Sequence, residues 1–220
     1  MKSLDKENYL DVRYDDNHIL VVVKRANLLT QPNETDQISL EEIAKSWIKN
    51  KYKKKGDVFL HAIHRLDKEV EGLVLFAKTS KALSRLNLEM KQKNIIRRYI
   101  AEVEGKLEEK SGVLKDYLVH GSHIAIITTI SNKEAKLAQL SFKVIKELKD
   151  TSLIEIELET GRYHQIRAQL SNLGHPIVGD KKYLSKRDLN QIHLCCYCLE
   201  FIHPVKKEKI VLKIKPGFDK

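Results

Sequence analysis

Between Leu153 and Glu159 the chain alternates without a break. Ile154, Ile156 and Leu158 point one way, and Glu155, Glu157 and Glu159 point the other. A period of two sends successive side chains to opposite faces of an extended backbone, so this stretch is a strand with one face in a core. A strand's backbone groups need partners, and a lone hairpin is barely stable, so several further strands are required. The sequence supplies them. His18–Lys24 is a β-branched run after the turn-like Asp15-Asp16-Asn17, Leu73–Ala77 is apolar, and Tyr99–Glu104 alternates and stops at Gly105. Ile124–Ile130, Leu140–Leu148, Cys195–Ile202 and Lys209–Lys215 complete the set of strand candidates.

Helical spacing appears in three places. Leu40, Ile43, Ala44, Trp47 and Ile48 recur at helical intervals behind Ser39, and Glu42 completes a capping box with that serine. A second helix carries Leu83, Leu86 and Met90, with Ser80 as its cap. A third runs from about His164 to Leu173 and is ended by Gly174. Strands interleaved with three helices predict an α+β domain on a large mixed, mostly antiparallel β-sheet flanked by helices. At 220 residues, with no repeat and no Gly/Ser/Pro-rich linker, a single domain over 1–220 is expected.

Composition narrows the function. Forty Lys and Arg against thirty Asp and Glu leave a net charge of +10, which favours a polyanionic partner through counterion release. The competing reading is a generally lysine-rich, basic protein. No apolar run reaches the roughly 20 residues of a membrane span, and Met1–Glu7 has no apolar signal core. The three cysteines, Cys195, Cys196 and Cys198, sit too close together for a disulfide framework, so a reducing cytoplasm is the natural setting. With His193 and His203 nearby they invite a zinc proposal. They lack a CxxC spacing, however, and small core residues fit better; no metal is expected. Asp67, Glu69 and Glu71 alternate with Lys68, as in a solvated turn.

The chemistry concentrates in two segments. Ala62-Ile63-His64-Arg65-Leu66-Asp67 leads through Glu71-Gly72 into a strand, placing one carboxylate on a constrained loop. Gly161-Arg162-Tyr163-His164-Gln165-Ile166-Arg167 offers cations that could meet it. A surface ion pair is the default for any acid. A partly buried carboxylate kept ionised by an arginine can instead act as a nucleophile or stabilise positive charge at a sugar carbon.

His64-Arg65-Leu66-Asp67 with Gly72 resembles the catalytic-loop motif of the RluA family of RNA pseudouridine synthases. Arg98-Tyr99-Ile100-Ala101-Glu102-Val103-Glu104-Gly105 resembles that family's tyrosine-bearing strand. Gly161–Arg167 with Gly174-His175-Pro176-Ile177-Val178-Gly179-Asp180 and Tyr183 resembles its arginine motif, and Leu194, Phe201, His203 and Pro204 its closing strand. The matches run in order from about residue 14 to 215.

The resemblance implies the pseudouridine synthase fold and isomerisation of specific uridines in ribosomal or transfer RNA, without cofactor or metal. Asp67 would be the catalytic aspartate, Arg167 its partner and Tyr99 the residue packed on the target base. Arg65 would enter the RNA where the base has left. His64, Lys24, Arg162, His164 and Gln165 are the further candidates for RNA contact; for His164 and Gln165 the competing reading is structural, fixing the loop that presents Arg167. The resemblance further implies a cytoplasmic, monomeric, stand-alone catalytic domain with no S4 domain. Two departures stand out. Glu71 replaces a small hydroxyl residue before Gly72, and Lys24-Arg25-Ala26-Asn27 replaces a Lys-Pro-x-Gly turn, with Asn27 able to take the left-handed conformation. Two alternatives stay open: an RNA-binding relative without catalysis, and a base-releasing N-glycosidase.

Overall fold

The computed structural model describes residues 10–218; Met1–Glu7, read above for a signal sequence, lies outside them. The chain divides into two compact units, Met1–Ile95 with Cys198–Ile214, and Ile96–Tyr197 with Lys215–Lys220.

In the first unit β1 (Asp11–Asp15) and β2 (Ile19–Lys24) form an antiparallel hairpin. Asp16 makes the turn: its Oδ1 accepts the His18 and Ile19 amides at 2.8 and 3.0 Å. After α1 (Leu40–Lys51), the short β3 (His61–Ala62) and β2 both pair antiparallel with β4 (Glu71–Ala77). Ile19–Val22 and Leu73–Ala77 are fully buried, so these strands read as continuous apolar runs rather than alternating ones. The capping box of α1 forms as the sequence predicts. Ser39 Oγ accepts the Glu42 amide, and the Glu42 carboxylate accepts the Ser39 amide. The cap of α2 (Ser80–Lys91) is Thr79 rather than Ser80; its Oγ1 accepts the Ala82 amide at 3.1 Å.

The second unit holds β5 (Ile96–Glu104), β6 (Ser111–His120), β7 (Ala125–Thr128), β8 (Lys136–Glu147) and β9 (Thr151–Leu158). They lie in the order β5-β9-β8-β6-β7, and each ladder is antiparallel. The alternating segment is thus an interior strand. Ile154 and Ile156 are fully buried, and the glutamates of the other face have partners: Arg98 Nε donates to Glu157 at 2.7 Å and the Tyr197 hydroxyl to Glu155. Three strands, β1, β3 and β6, have no counterpart in the sequence reading. Helix α3 (Gln165–Asn172) follows β9, with Gly174 beyond it at φ 88°. The fully buried Cys195, Cys196 and Cys198 lie in β10 (Leu194–Ile202), whose end pairs with β11 (Lys209–Lys213) from Cys198↔Lys213 to Ile202↔Lys209. Eleven strands and three α-helices among the described residues make this the expected α+β class.

Candidate active site and nucleic-acid interface

In the first unit the site residues gather on the loop from β3 to β4. The Ile63 amide donates to the Leu75 carbonyl at 2.9 Å. The Leu75 amide in turn donates to His64 Nε2 at 3.3 Å. The buried His64 imidazole therefore anchors the loop to β4 rather than facing outward. Leu66 is buried beside it. Thr30 Oγ1 donates to the Leu66 carbonyl at 2.7 Å and accepts the Leu66 amide at 3.1 Å, holding the residue before Asp67 at both backbone groups. Asp67 is half-buried, and its carbonyl accepts the Val70 amide at 3.1 Å to close a turn. Arg65 is exposed on this loop. Gly72 leaves the turn at φ 133°, a conformation that excludes most side chains.

Lys24 corrects the sequence reading. Expected among the RNA contacts, it is instead completely buried, because its ammonium is the donor that ties two chain segments together. Nζ donates to the carbonyls of Arg25, Leu28 and Lys68 at 3.0, 2.7 and 2.9 Å. It thereby fastens the turn after β2 to the residue that follows Asp67. Burial pulls its ammonium down to about 7, against the opposing attraction of Asp67, Glu69 and Glu71. Glu71 thus adds to the negative potential that favours the charged form of the buried lysine. Asn27 takes the left-handed conformation, φ 65°, in the place where glycine was missing.

In the second unit Tyr99 lies on β5 opposite Ile156 and is buried. Arg167, on α3, is 1% exposed and clasps Asp180 with two parallel bonds, Nε to Oδ2 at 2.7 Å and Nη2 to Oδ1 at 2.8 Å. Its Nη1 lies 3.0 Å from His164 Nε2, and His164 Nδ1 lies 3.0 Å from the Tyr183 hydroxyl. His164 precedes α3 in the left-handed region, φ 49°.

Gln165 and His164 are buried, and their polar atoms serve the fold where RNA contacts were expected. Gln165 Oε1 accepts from Thr160 Oγ1 and the Arg162 amide, and its Nε2 donates to the Gln139 carbonyl. Arg162 is exposed, with Nε donating to the Leu137 carbonyl at 2.9 Å. The structure therefore places His64, Arg65 and Asp67 on one loop, to which Lys24 at the end of β2 is fastened. Arg162, His164, Gln165 and Arg167 meet at the start of α3. Thr30, Asp180 and Tyr183 were not assigned functional roles from sequence. Asp180 and Tyr183 do fall inside the arginine motif, which was the available signal; Thr30 had none.

Comparison with known proteins identifies the family. The model of the RNA pseudouridylate synthase family matches residues 18–172, from the start of β2 to the end of α3. The RNA pseudouridine synthase YhcT of Bacillus subtilis is 34% identical over 206 residues, covering 92% of this chain and 67% of the relative. The dual-specificity RNA pseudouridine synthase RluA of Pasteurella multocida is 31% identical over 214 residues, covering 96% of this chain and 94% of the relative. Human RNA pseudouridylate synthase domain containing 4 shares the fold, with a TM-score of 0.79 at 20% identity over 94% of this chain and 89% of that one. A family match that takes in both the Asp67 loop and the Arg167 helix, with relatives alike along nearly the whole length, places the chain in the RluA-type family of RNA pseudouridine synthases, isomerases that act on RNA.

Proposed function

We propose that the chain converts uridine to pseudouridine in ribosomal or transfer RNA, with Asp67 as its catalytic carboxylate. The observation that supports this most is the bracing of the Asp67 loop. Thr30 holds both backbone groups of Leu66, Lys24 holds the Lys68 carbonyl, and Asp67 stands half-buried between them. A side chain that must meet a reacting sugar carbon needs such a fixed backbone.

The reaction breaks the C1′–N1 bond, turns the uracil and joins C1′ to C5; C5 loses a proton and N1 gains one. It is redox-neutral and imports no group. The uridine must first leave its stack, which costs roughly a few kcal/mol in a paired region. In this reading Asp67 promotes glycosidic cleavage, Arg167 acts at the reacting nucleotide and Tyr99 packs on the base. The exposed Arg65 enters the space the base leaves, and Arg162 adds a surface cation for phosphate.

The related enzymes are named for ribosomal large subunit and dual-specificity activities, which supports ribosomal or transfer RNA as the substrate class. Asp67→Asn should form no pseudouridine while binding RNA with affinity within about threefold of wild type. Full turnover in that variant would refute the assignment of Asp67. Pseudouridine mapping in cells with and without the gene identifies the target: sites that vanish on deletion return with the wild-type gene and not with Asp67→Asn.

A further inference from the structure

The start of α3 is gripped by the hairpin of β6 and β7, and the grip passes through the neighbours of Arg167. Arginine can only donate, so the 3.0 Å contact from Nη1 makes His164 Nε2 the acceptor. That fixes a neutral imidazole with its proton on Nδ1, which is donated to the Tyr183 oxygen at 3.0 Å. The same oxygen accepts the Ala125 amide at 2.6 Å and sends its own proton to the Ala125 carbonyl at 3.3 Å. Every direction in the chain is thereby determined, from Ala125 through Tyr183 and His164 to the guanidinium that Asp180 clasps.

Ala125 opens β7 after the turn in which the Gly121 amide donates to the Ile124 carbonyl. The other strand of the hairpin reaches the same place. His120, the last residue of β6, stacks on Tyr163 at 4.2 Å, and Tyr163 stacks on His164 at 3.9 Å with planes 18° apart. Tyr183 meets His164 edge-on and lies 5.1 Å from the Arg167 guanidinium. A histidine in the left-handed region persists only where its surroundings over-determine it, and here two rings and two hydrogen bonds do so.

We propose that His164 and Tyr183 are positioning residues for Arg167, orienting its guanidinium from the β6–β7 hairpin. The proposal rests on the reading that Arg167 acts at the reacting nucleotide. His164→Asn separates the two contacts of the ring. Asparagine tolerates the left-handed backbone and can place a donor near Nδ1, toward Tyr183, but it is too short to reach Arg167. Its kcat should fall about tenfold, with KM within about twofold of wild type. Tyr183→Phe removes the acceptor for Nδ1–H and should lower kcat about three- to tenfold with the same unchanged KM.

Nitrogen NMR of the wild-type histidines reads the same arrangement without any variant. His164 should appear as the neutral Nδ1–H tautomer, and Tyr183→Phe should weaken that preference. Wild-type kcat in His164→Asn, or an Nε2–H tautomer or imidazolium in the wild type, would overturn the proposal. An active Asp67→Asn would instead overturn the functional reading beneath it.

Discussion

Replacing Lys24 with Met tests whether a charged group is held inside the Asp67 loop. Lys24 is 0% exposed, and burial lowers its ammonium from 10.5 to about 7 against the pull of Asp67, Glu69 and Glu71. Below pH 7 both folded and unfolded chains carry the proton, and the cost of burying the charge is fully present. Between about 7 and 10.5 the unfolded chain still binds a proton that the folded chain has released, so stability rises with pH. The slope approaches about 1.4 kcal/mol per pH unit, and the penalty is gone above 10.5. Methionine fills similar space and does not titrate. It also leaves the carbonyls of Arg25, Leu28 and Lys68 without this donor, which costs roughly 1–3 kcal/mol across the pH range. Urea unfolding of both proteins at pH 6, 7, 8 and 9 separates the two effects. The stability of wild type relative to Lys24→Met should change little from pH 6 to 7 and then grow by about 2–3 kcal/mol from pH 7 to 9. A difference that stays constant from pH 7 to 9 would show that Lys24 does not titrate in that window and that the reasoning is wrong.

What could be read in the sequence was local. The strand at Leu153–Glu159 and the capping box at Ser39 each declare themselves within a few residues, and both form. The second helix cap was misplaced by one position because Thr79 and Ser80 are adjacent hydroxyl residues; only the backbone angles choose between them. Strand β6 escaped because its apolar Val113 and Leu114 are neighbours and Val113 is 61% exposed, which destroys the alternation that marks a strand. At the site, the Asp67 loop was visible through Gly72 and the motif around it. The job of Lys24 was not. Its third acceptor lies 44 residues away, and a lysine in sequence reads as a solvated cation. The Asp180 clasp of Arg167 joins residues 13 apart across the end of a helix, a distance at which no periodicity pairs them. His164 and Gln165 were assigned to loop support as well as to RNA, and their burial gives weight to the first of these roles.

Three further perturbations follow from the bonding described. Ser39→Ala removes one leg of the α1 capping box and should cost about 1 kcal/mol in urea unfolding, while Ser39→Asn, which can still cap, should cost less than half of that. Burial pushes the Asp16 carboxyl up, but the His18 and Ile19 amides and His203 outweigh it and hold the group at about 2. The folded value is below the unfolded one, so this stabilisation is present above pH 3.8 and is lost as pH falls toward 2; Asp16→Asn should flatten the thermal midpoint across that window, and equal acid sensitivity in both proteins would refute it. Asp180→Asn tests the buried clasp on Arg167. Asparagine keeps the size and one acceptor, but its amide hydrogens face the second guanidinium donor and its charge no longer balances a cation that is 1% exposed. Breaking such a pair from one side costs about 3–5 kcal/mol, a large share of a total stability of about 5–15 kcal/mol. Arg167→Met combined with Asp180→Leu removes both charges and should be more stable than Asp180→Asn alone, because the penalty lies in keeping a buried cation that has lost its bidentate acceptor rather than in the missing bond. A double variant less stable than the single one would place the value of the clasp in its attraction and refute that account.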